Sequence, residues 1–401
     1  MTSTPGGAGT PAGHGPLHGV VVADFSRILA GPYATMLLAD LGATVIKVEG
    51  PGGDDTRTWV PPVRPDGVAT YYASINRNKK SVVLDFKDPE DLATAHALTA
   101  AADVMIENFR PGGLAKFGLD YTAVADRNPA IIYSSISGFG SAEGAHLPGY
   151  DLIVQAMSGL MSLTGDPGGP PYRAGISVFD VMSGLHSTIA ILAALRHRDA
   201  TGQGQHLEAS LMASAMSGLV NQTMAYVGGG VTPHRMGNAH PSLFPYEPLP
   251  TADADLIITA GNNSQFRKLC EVLGIGEVAD DARFAENGDR TANREELRPL
   301  LVERLGTQSA EHWFERLNAA GVPSGPINSI AEGVEYAKKL GLDPVVQVGS
   351  GDDAVPGVRH PVTFSATPPR YDLPPPRLGE HTDEVRDWLA TRPAATPAGG
   401  H

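Results

Sequence analysis

Residues 19–49 read Gly19-Val20-Val21-Val22-Ala23-Asp24-Phe25-Ser26-Arg27-Ile28-Leu29-Ala30-Gly31-Pro32-Tyr33-Ala34-Thr35-Met36-Leu37-Leu38-Ala39-Asp40-Leu41-Gly42-Ala43-Thr44-Val45-Ile46-Lys47-Val48-Glu49, and the order of two periodicities there decides the fold. Val20 to Ala23 is a short β-branched run, Pro32 to Leu41 spaces its apolar residues as a helix does, and Thr44 to Val48 is β-type again. Strand, helix and strand in succession make a βαβ unit, whose crossover forces the two strands parallel. The alternation continues with Ser81 to Leu84, a helix from Pro89 to Ala101, Val104 to Ile106, a basic turn at Arg110-Pro111-Gly112-Gly113, and Ile131 to Ser134. Strands interleaved with helices predict the α/β class, with a doubly wound, mostly parallel sheet covered on both faces.

Further along, a long helix is expected from Val181 to Arg198, closed by Thr201-Gly202-Gln203-Gly204, and Leu207 to Leu219 reads as a strand running into a buried helix. The stretch Val227 to Thr251, rich in Gly, Pro, His and Asn, reads as a connection. A smaller α/β unit follows, with a strand at Leu256 to Ala260 and helices at Ser264 to Leu273, Arg294 to Leu305 and Ala310 to Ala320. The expected organisation is a disordered leader at 1–16, the first part of a large domain at 17–222, a linker at 223–252, a small α/β domain at 253–325, and a second linker at 326–345. A segment at 346–390 then returns to the large domain, ahead of a disordered tail at 391–401.

A chain of 401 residues with 42% hydrophobic content exceeds one ordinary core and supports about two domains. The formal charge of −14 argues against nucleic acid as a partner, because that binding is carried largely by basic side chains. The residues before Pro16 lack the basic start and apolar core of a secretory signal, and apolar runs such as Val178 to Leu195 are broken by Asp180, Ser183, Gly184, His186 and Ser187, so no membrane partner is expected. The single cysteine, Cys270, excludes an internal disulfide and a Cys-rich metal site, reads as a buried structural thiol, and suits a reducing, cytoplasmic compartment. An anionic ligand needs a local basic pocket in so acidic a chain, for which Arg77, Lys79, Lys80, Lys87, Arg110 and Lys116 are the candidates.

Familiar site signatures are missing. The sequence has no Gly-x-x-x-x-Gly-Lys loop, no His-Glu-x-x-His helix and no Gly-x-Ser-x-Gly elbow, so no metal site is expected, and Gly138-Phe139-Gly140 with Gly144 is out of step with the dinucleotide fingerprint. What stands out is Asp180, a lone carboxylate where the Gly/Pro-rich loop 165–175 gives way to an apolar helix. Such a residue is either a helix cap or an exposed nucleophile, and the two roles are compatible, since a cap position would keep the carboxylate ionised.

Several segments taken together are specific: Asp24-Phe25-Ser26-Arg27 with Ala30-Gly31-Pro32; Gly53-Asp54-Asp55-Thr56-Arg57; Asn76-Arg77-Asn78-Lys79-Lys80; Glu107-Asn108-Phe109-Arg110-Pro111-Gly112; Gly149-Tyr150-Asp151; and Leu378-Gly379-Glu380-His381-Thr382. With these, the chain from Gly19 to Val385 resembles the class III CoA-transferases, the family of formyl-CoA and carnitine CoA-transferases and of α-methylacyl-CoA racemase. The resemblance implies a Rossmann-like large domain, an interlocked homodimer, and acyl-CoA and a carboxylic acid as substrates, with no tightly bound cofactor. It carries Asp180 over as the catalytic carboxylate, with Tyr150 and Asp151 beside it. By the same resemblance Leu84, Asp85, Lys87, Asn108, Phe109, Arg110 and Lys116 should line the adenosine and phosphate end of CoA, and Leu29 and Ala30 the pantetheine arm. Gly50 departs from formyl-CoA transferase, which has an arginine there. Tyr150 stands where the racemases have a histidine, and a phenol is a poor base for an α-proton at neutral pH. Transfer of CoA through an aspartyl anhydride is therefore the expected activity. An acyl-CoA racemase and a non-catalytic CoA-binding protein are the alternatives.

Overall fold

The computed structural model describes residues 15–392. The expected leader and tail fall outside that range except at their inner ends, where Gly15 and Pro16 already belong to the fold: the Leu17 N–H donates to Leu41 O at 3.0 Å, and a Cβ on Gly15 would stand 2.2 Å from that same oxygen.

The described chain divides into two compact units. The first comprises residues 15–158, Ala174–Gly229 and residues 343–392. Its centre is a six-stranded sheet of β1 (Val21–Asp24), β2 (Thr44–Glu49), β3 (Lys79–Val83), β4 (Val104–Glu107), β5 (Ile132–Ser137) and β6 (Gln205–Ser210) in the order β3-β2-β1-β4-β5-β6. All five pairings are parallel, and the order is that of a doubly wound sheet that reverses direction between β1 and β4. Alternation along the strands explains why both faces are covered. Val21, Ala23, Ile46, Val48, Val82 and Met105 point one way, into a core shared with Ala95 and Leu98 of the helix Pro89–Ala101 and Val385 of the helix Thr382–Ala390. Their neighbours Val22, Asp24, Val45 and Lys47 are equally buried on the opposite face, where the helices Ala30–Asp40 and Val178–Thr201 lie against the sheet and each other.

Two of the strands carry lysines whose side chains are fully buried, and this corrects the expectation that the basic stretch 77–80 forms a ligand pocket. Lys79 Nζ lies 3.2 Å from Asp24 Oδ2 and donates to Pro32 O and Asn76 Oδ1. Arg77 makes a bidentate pair with Asp40, at 2.9 and 2.6 Å, and Lys80 is paired with Glu384. Lys79 and Arg77 neutralise the buried carboxylates of Asp24 and Asp40, as the cost of removing a charge from water demands, while the Lys80 pair lies at the surface.

The helix Val178–Thr201 is long and apolar enough, by length and composition, to cross a membrane. It lies instead against the sheet through β5 and β6 and against the helix Ala30–Asp40, with Phe179, Ile191, Ala194 and Leu195 buried, as a core helix does.

The second unit comprises Gly159–Arg173 and Gly230–Leu342. An antiparallel sheet of β7 (Tyr246–Pro250), β8 (Asp255–Thr259) and β9 (Ser324–Pro326) is covered by the helices Asn263–Leu273, Arg294–Leu305 and Ala310–Ala319. β7 and the helix Ile330–Lys339 occupy stretches expected as linkers, and β7 hides from a sequence reading because Pro248 and Pro250 interrupt it. Both prolines are tolerated because β7 is an edge strand. Back in the first unit, β10 (Val345–Val348) and β11 (Val355–Val358) form a hairpin that the sequence also concealed.

Cys270 is fully buried in the second unit's core, and burial pushes its thiol up to about 12. A thiolate is the reactive form, so the native protein is expected to resist iodoacetamide at pH 8 and to take up one equivalent only when denatured. Stoichiometric labelling of the native protein by intact mass would contradict this placement.

Candidate functional site

Ligands of open parallel sheets bind at the carboxyl ends of the strands, outside the point where strand order reverses, and the candidate residues follow those ends. Residues 25–30 leave β1, 50–54 leave β2, 84–87 leave β3, 108–113 leave β4 and 138–149 leave β5. Loops from either side of the reversal are tied together by Asn108: its Oδ1 accepts the Arg27 N–H at 2.9 Å and its Nδ2 donates to Arg27 O at 2.7 Å.

Two of the cavities along this edge carry most of the candidate residues. One, of 90 Å³, is lined by Ala30, Asn108, Phe109, Arg110 and Asp180 and by the loop after β5. The other, of 310 Å³, is lined by Leu84, Asp85, Lys87 and Phe109 together with the loops after β1 and β2, including Gly50 and Asp54. Phe109 is a wall of both. Leu29, Tyr150, Asp151 and Lys116 line neither cavity. Leu29 is buried as the residue preceding the helix Ala30–Asp40, Tyr150 is 57% exposed, and the Lys116 ammonium sits 4.7 Å from the centroid of Phe117, whose ring borders the larger cavity.

Asp180 is not a cap. The helix begins at Val178, three residues earlier than the hydrophobic spacing indicates, with Ser177 at the N-cap. Asp180 is therefore in the first turn, and its carboxylate accepts no hydrogen bond from the described residues. The capping role belongs to Asp151, whose Oδ1 accepts the N–H groups of Phe179 at 2.8 Å and Asp180 at 3.2 Å, while Oδ2 accepts from Gln155 Nε2. Gln155 in turn takes the Ala174 N–H at 2.8 Å and donates to Ile176 O at 3.1 Å. A buried carboxylate so fully engaged holds the loop before the helix in place, which is the cap role that the sequence leaves open for it beside a place near the thioester.

The same arrangement overturns the expectation that Asp180 is simply ionised at neutral pH. Burial first, and the nearby Asp151 charge second, push its pKa up to about 7. Both favour the neutral acid, the first by removing solvent and the second by repulsion. Once ionised, the carboxylate is a stronger base and nucleophile than an exposed one.

The loop after β5 escaped sequence reasoning. Gly138, Phe139 and Gly140 line the Asp180 cavity along with Gly149. A Cβ on Gly138 would stand 2.3 Å from Gly149 Cα, and one on Gly149 2.5 Å from Gly138 Cα, so the two glycines let the loop fold back on itself. The available signal was this glycine spacing, which matched no dinucleotide fingerprint and was set aside.

The model of the family described as CoA-transferase family III matches residues 17–382. The chain is 46% identical over 394 residues to a succinate–glutarate CoA-transferase of Agrobacterium fabrum, covering 95% of this chain and 98% of that protein. It is 40% identical over 380 residues to an acetyl-CoA:oxalate CoA-transferase of Acetobacter aceti, covering 94% and 96%. Among solved structures, a CAIB/BAIF family protein from Brucella suis superimposes with a TM-score of 0.84 at 43% identity, covering 94% of this chain and 100% of that one.

A carboxyl group whose folded pKa is raised binds more protons folded than unfolded between pH 4 and 7, so Asp180 lowers stability progressively across that window and most above it. Asp180→Asn is expected to stabilise the protein at pH 8 by about 1–3 kcal/mol after allowance for partial exposure, a gain that disappears toward pH 4. Thermal melting of both proteins across this range checks it, and equal midpoints at pH 8 would refute it.

Proposed function

The chain belongs to CoA-transferase family III, and on that premise we propose that Asp180 is the nucleophile through which it moves CoA from an acyl-CoA to a carboxylic acid. The observation that carries this reading is the position of the Asp180 carboxyl, with its pKa near 7, on a cavity that shares the Phe109 wall with a larger one bordered by Lys87. The larger cavity suits the nucleotide end of CoA, and the smaller one the thioester.

An Asp180 carboxylate oxygen attacks the thioester carbonyl, and the C–S bond breaks with its electron pair leaving on the CoA thiolate. The thiolate then attacks the aspartyl carbonyl of the mixed anhydride, releasing the donor acid and leaving an aspartyl-CoA thioester. The acceptor carboxylate attacks that thioester, expels the thiolate again and is itself activated as an anhydride. A final thiolate attack on the acceptor's carbonyl gives the new acyl-CoA and frees Asp180. Each step exchanges one acyl–heteroatom bond for another, so the energy of the thioester is retained. Tyr150 lies outside the Asp180 cavity, which leaves Asp180 without the facing acid/base partner that a racemase requires.

The acids exchanged are proposed to be small aliphatic dicarboxylates, on the strength of relatives named for succinate, glutarate and oxalate. Arg110 lines the Asp180 cavity and has no ion-pair partner among the described residues, so it is free to meet an anionic group of CoA or of the acid. A homodimer, interlocked as the family resemblance implies, is supported by apolar side chains left exposed on two helices: Leu185 and Ile189 one turn apart, and Val220, Met224 and Val227 on the helix Val220–Gly229.

Incubation with an acyl-CoA, followed by hydroxylamine and peptide mass spectrometry, should modify Asp180 alone. Asp180→Ala is expected to lose about 10⁴-fold or more in CoA exchange, in the range seen when a covalent nucleophile is removed. Exchange by this variant at the normal rate would end the proposal. Separately, in a panel of acceptor acids the dicarboxylates should exceed acetate and butyrate in kcat/KM by about tenfold or more, roughly the value of one charge-assisted hydrogen bond. A preference for monocarboxylates would reject that substrate class.

A further inference from the structure

Ile28 has φ of +69°, in the left-handed region that a β-branched residue enters only at a cost. It sits between β1 and the helix that opens at Ala30, so whatever holds it also aims Ala30, a wall of the Asp180 cavity. Three side chains, one from β2 and two from the loops after β2 and β4, converge on this turn. Lys47 Nζ donates to Ser26 O at 3.0 Å, Asn108 brackets Arg27 through both its N–H and its carbonyl, and Asp54 accepts the Ile28 N–H at 3.2 and 3.3 Å.

Asp54 is built for this task. Its side chain and that of Lys47 are each only 1% exposed, and the two pair at 2.8 Å. Oδ1 also accepts the Thr56 N–H at 3.0 Å and the Thr56 hydroxyl at 2.7 Å, and its own N–H is tied to Glu49 Oε2 at 2.9 Å. Each hydrogen-bond partner of the carboxylate is a donor, and those from Lys47 and Thr56 fix it in place independently of Ile28. At the far side of the turn, a Cβ on Gly184 would stand 2.7 Å from Ala30 O. The helix bearing Asp180 therefore rests directly on the backbone that the turn aims.

We propose that Asp54 is a positioning residue for transfer: by holding the strained Ile28 turn it sets Ala30 and the first turn of its helix against Asp180. This rests on the reading of Asp180 as nucleophile. Misplacement of the reacting groups by about 1 Å costs on the order of 10²-fold in rate, and that is the loss expected in kcat for Asp54→Asn, whose Nδ2 must face a donor in either orientation.

The test is a cycle with Ile28→Gly, since glycine adopts the positive φ without strain and no longer needs to be held. Ile28→Gly alone should stay within about threefold of the parent kcat, and the double variant should regain about tenfold over Asp54→Asn, while the Kd for free CoA, measured by calorimetry, moves less than about threefold throughout. Thr56→Val, which removes one donor from Asp54 and leaves its charge, provides a milder route should Asp54→Asn not fold, with a smaller loss rescued by the same glycine. A double variant no faster than its Asp54 or Thr56 parent, or a fall in CoA affinity matching the fall in kcat, overturns the proposal; the latter would mean that Asp54 acts through the cavity it borders. Exchange by the parent protein with no adduct on Asp180 would dismiss the nucleophile, and the kinetic cycle would still decide the role of Asp54.

Discussion

The carboxylate of Asp151 at the N-terminus of the helix Val178–Thr201 is the interaction on which the site depends. Two N–H groups of the first turn, Phe179 and Asp180, are satisfied by it, which fixes where the chain stops being loop and starts being helix. That boundary decides that the side chain of Asp180 leaves the helix toward the cavity rather than folding back as a cap. The arrangement also places a negative charge beside the residue whose own charge matters. Burial first, and repulsion from the neighbouring Asp151 carboxylate second, hold Asp180 near the middle of its titration at neutral pH. One carboxylate is spent on structure, and its neighbour accepts no hydrogen bond from the described residues.

What was legible in the sequence follows from this division. The parallel sheet could be read because its strands are buried on both faces and punctuated by helices of the right length, and the helix Pro89–Ala101 was placed residue for residue because Asp88 caps it and Pro89 opens it. The start of the helix at Val178 was misplaced because its cap comes from 27 residues upstream, Asp151 to Val178, a long-range contact that no local signal announces. The edge strand β7 was lost for the opposite reason: a local signal, two prolines, outweighed a pairing that only the fold supplies.

The basic residues tell the same story in electrostatic terms. In a chain of net charge −14, Arg77, Lys79 and Lys80 look like the start of an anion site, but Asp40, Asp24 and Glu384 claim them. A sequence gives the count of cations and not their partners. Those left without a carboxylate partner in the site, Lys87 and Arg110, lie one on each cavity, so the local positive field that a polyanionic cosubstrate requires rests on few charges and on the main chain of the strand ends.

The buried network beneath the cavities gives the turn at Ile28 its meaning. Lys47 and Asp54 are costly to bury, and a hydrophobic pair of equal volume would be at least as stabilising. A hydrophobic pair, however, could not hold the Ile28 N–H and the Ser26 carbonyl in fixed positions, because neither offers a directional partner. Ion pairing here trades stability for direction, and the strand ends around β1 are where direction is needed: the backbone must leave a buried sheet, pass through an unfavourable φ and open a helix whose first residue is a wall of the Asp180 cavity. A fold that places the Asp180 carboxyl on one helix and Ala30, a wall of the same cavity, on another has to fix both to the same sheet edge. Asp151 does so for the first helix and Asp54 for the second.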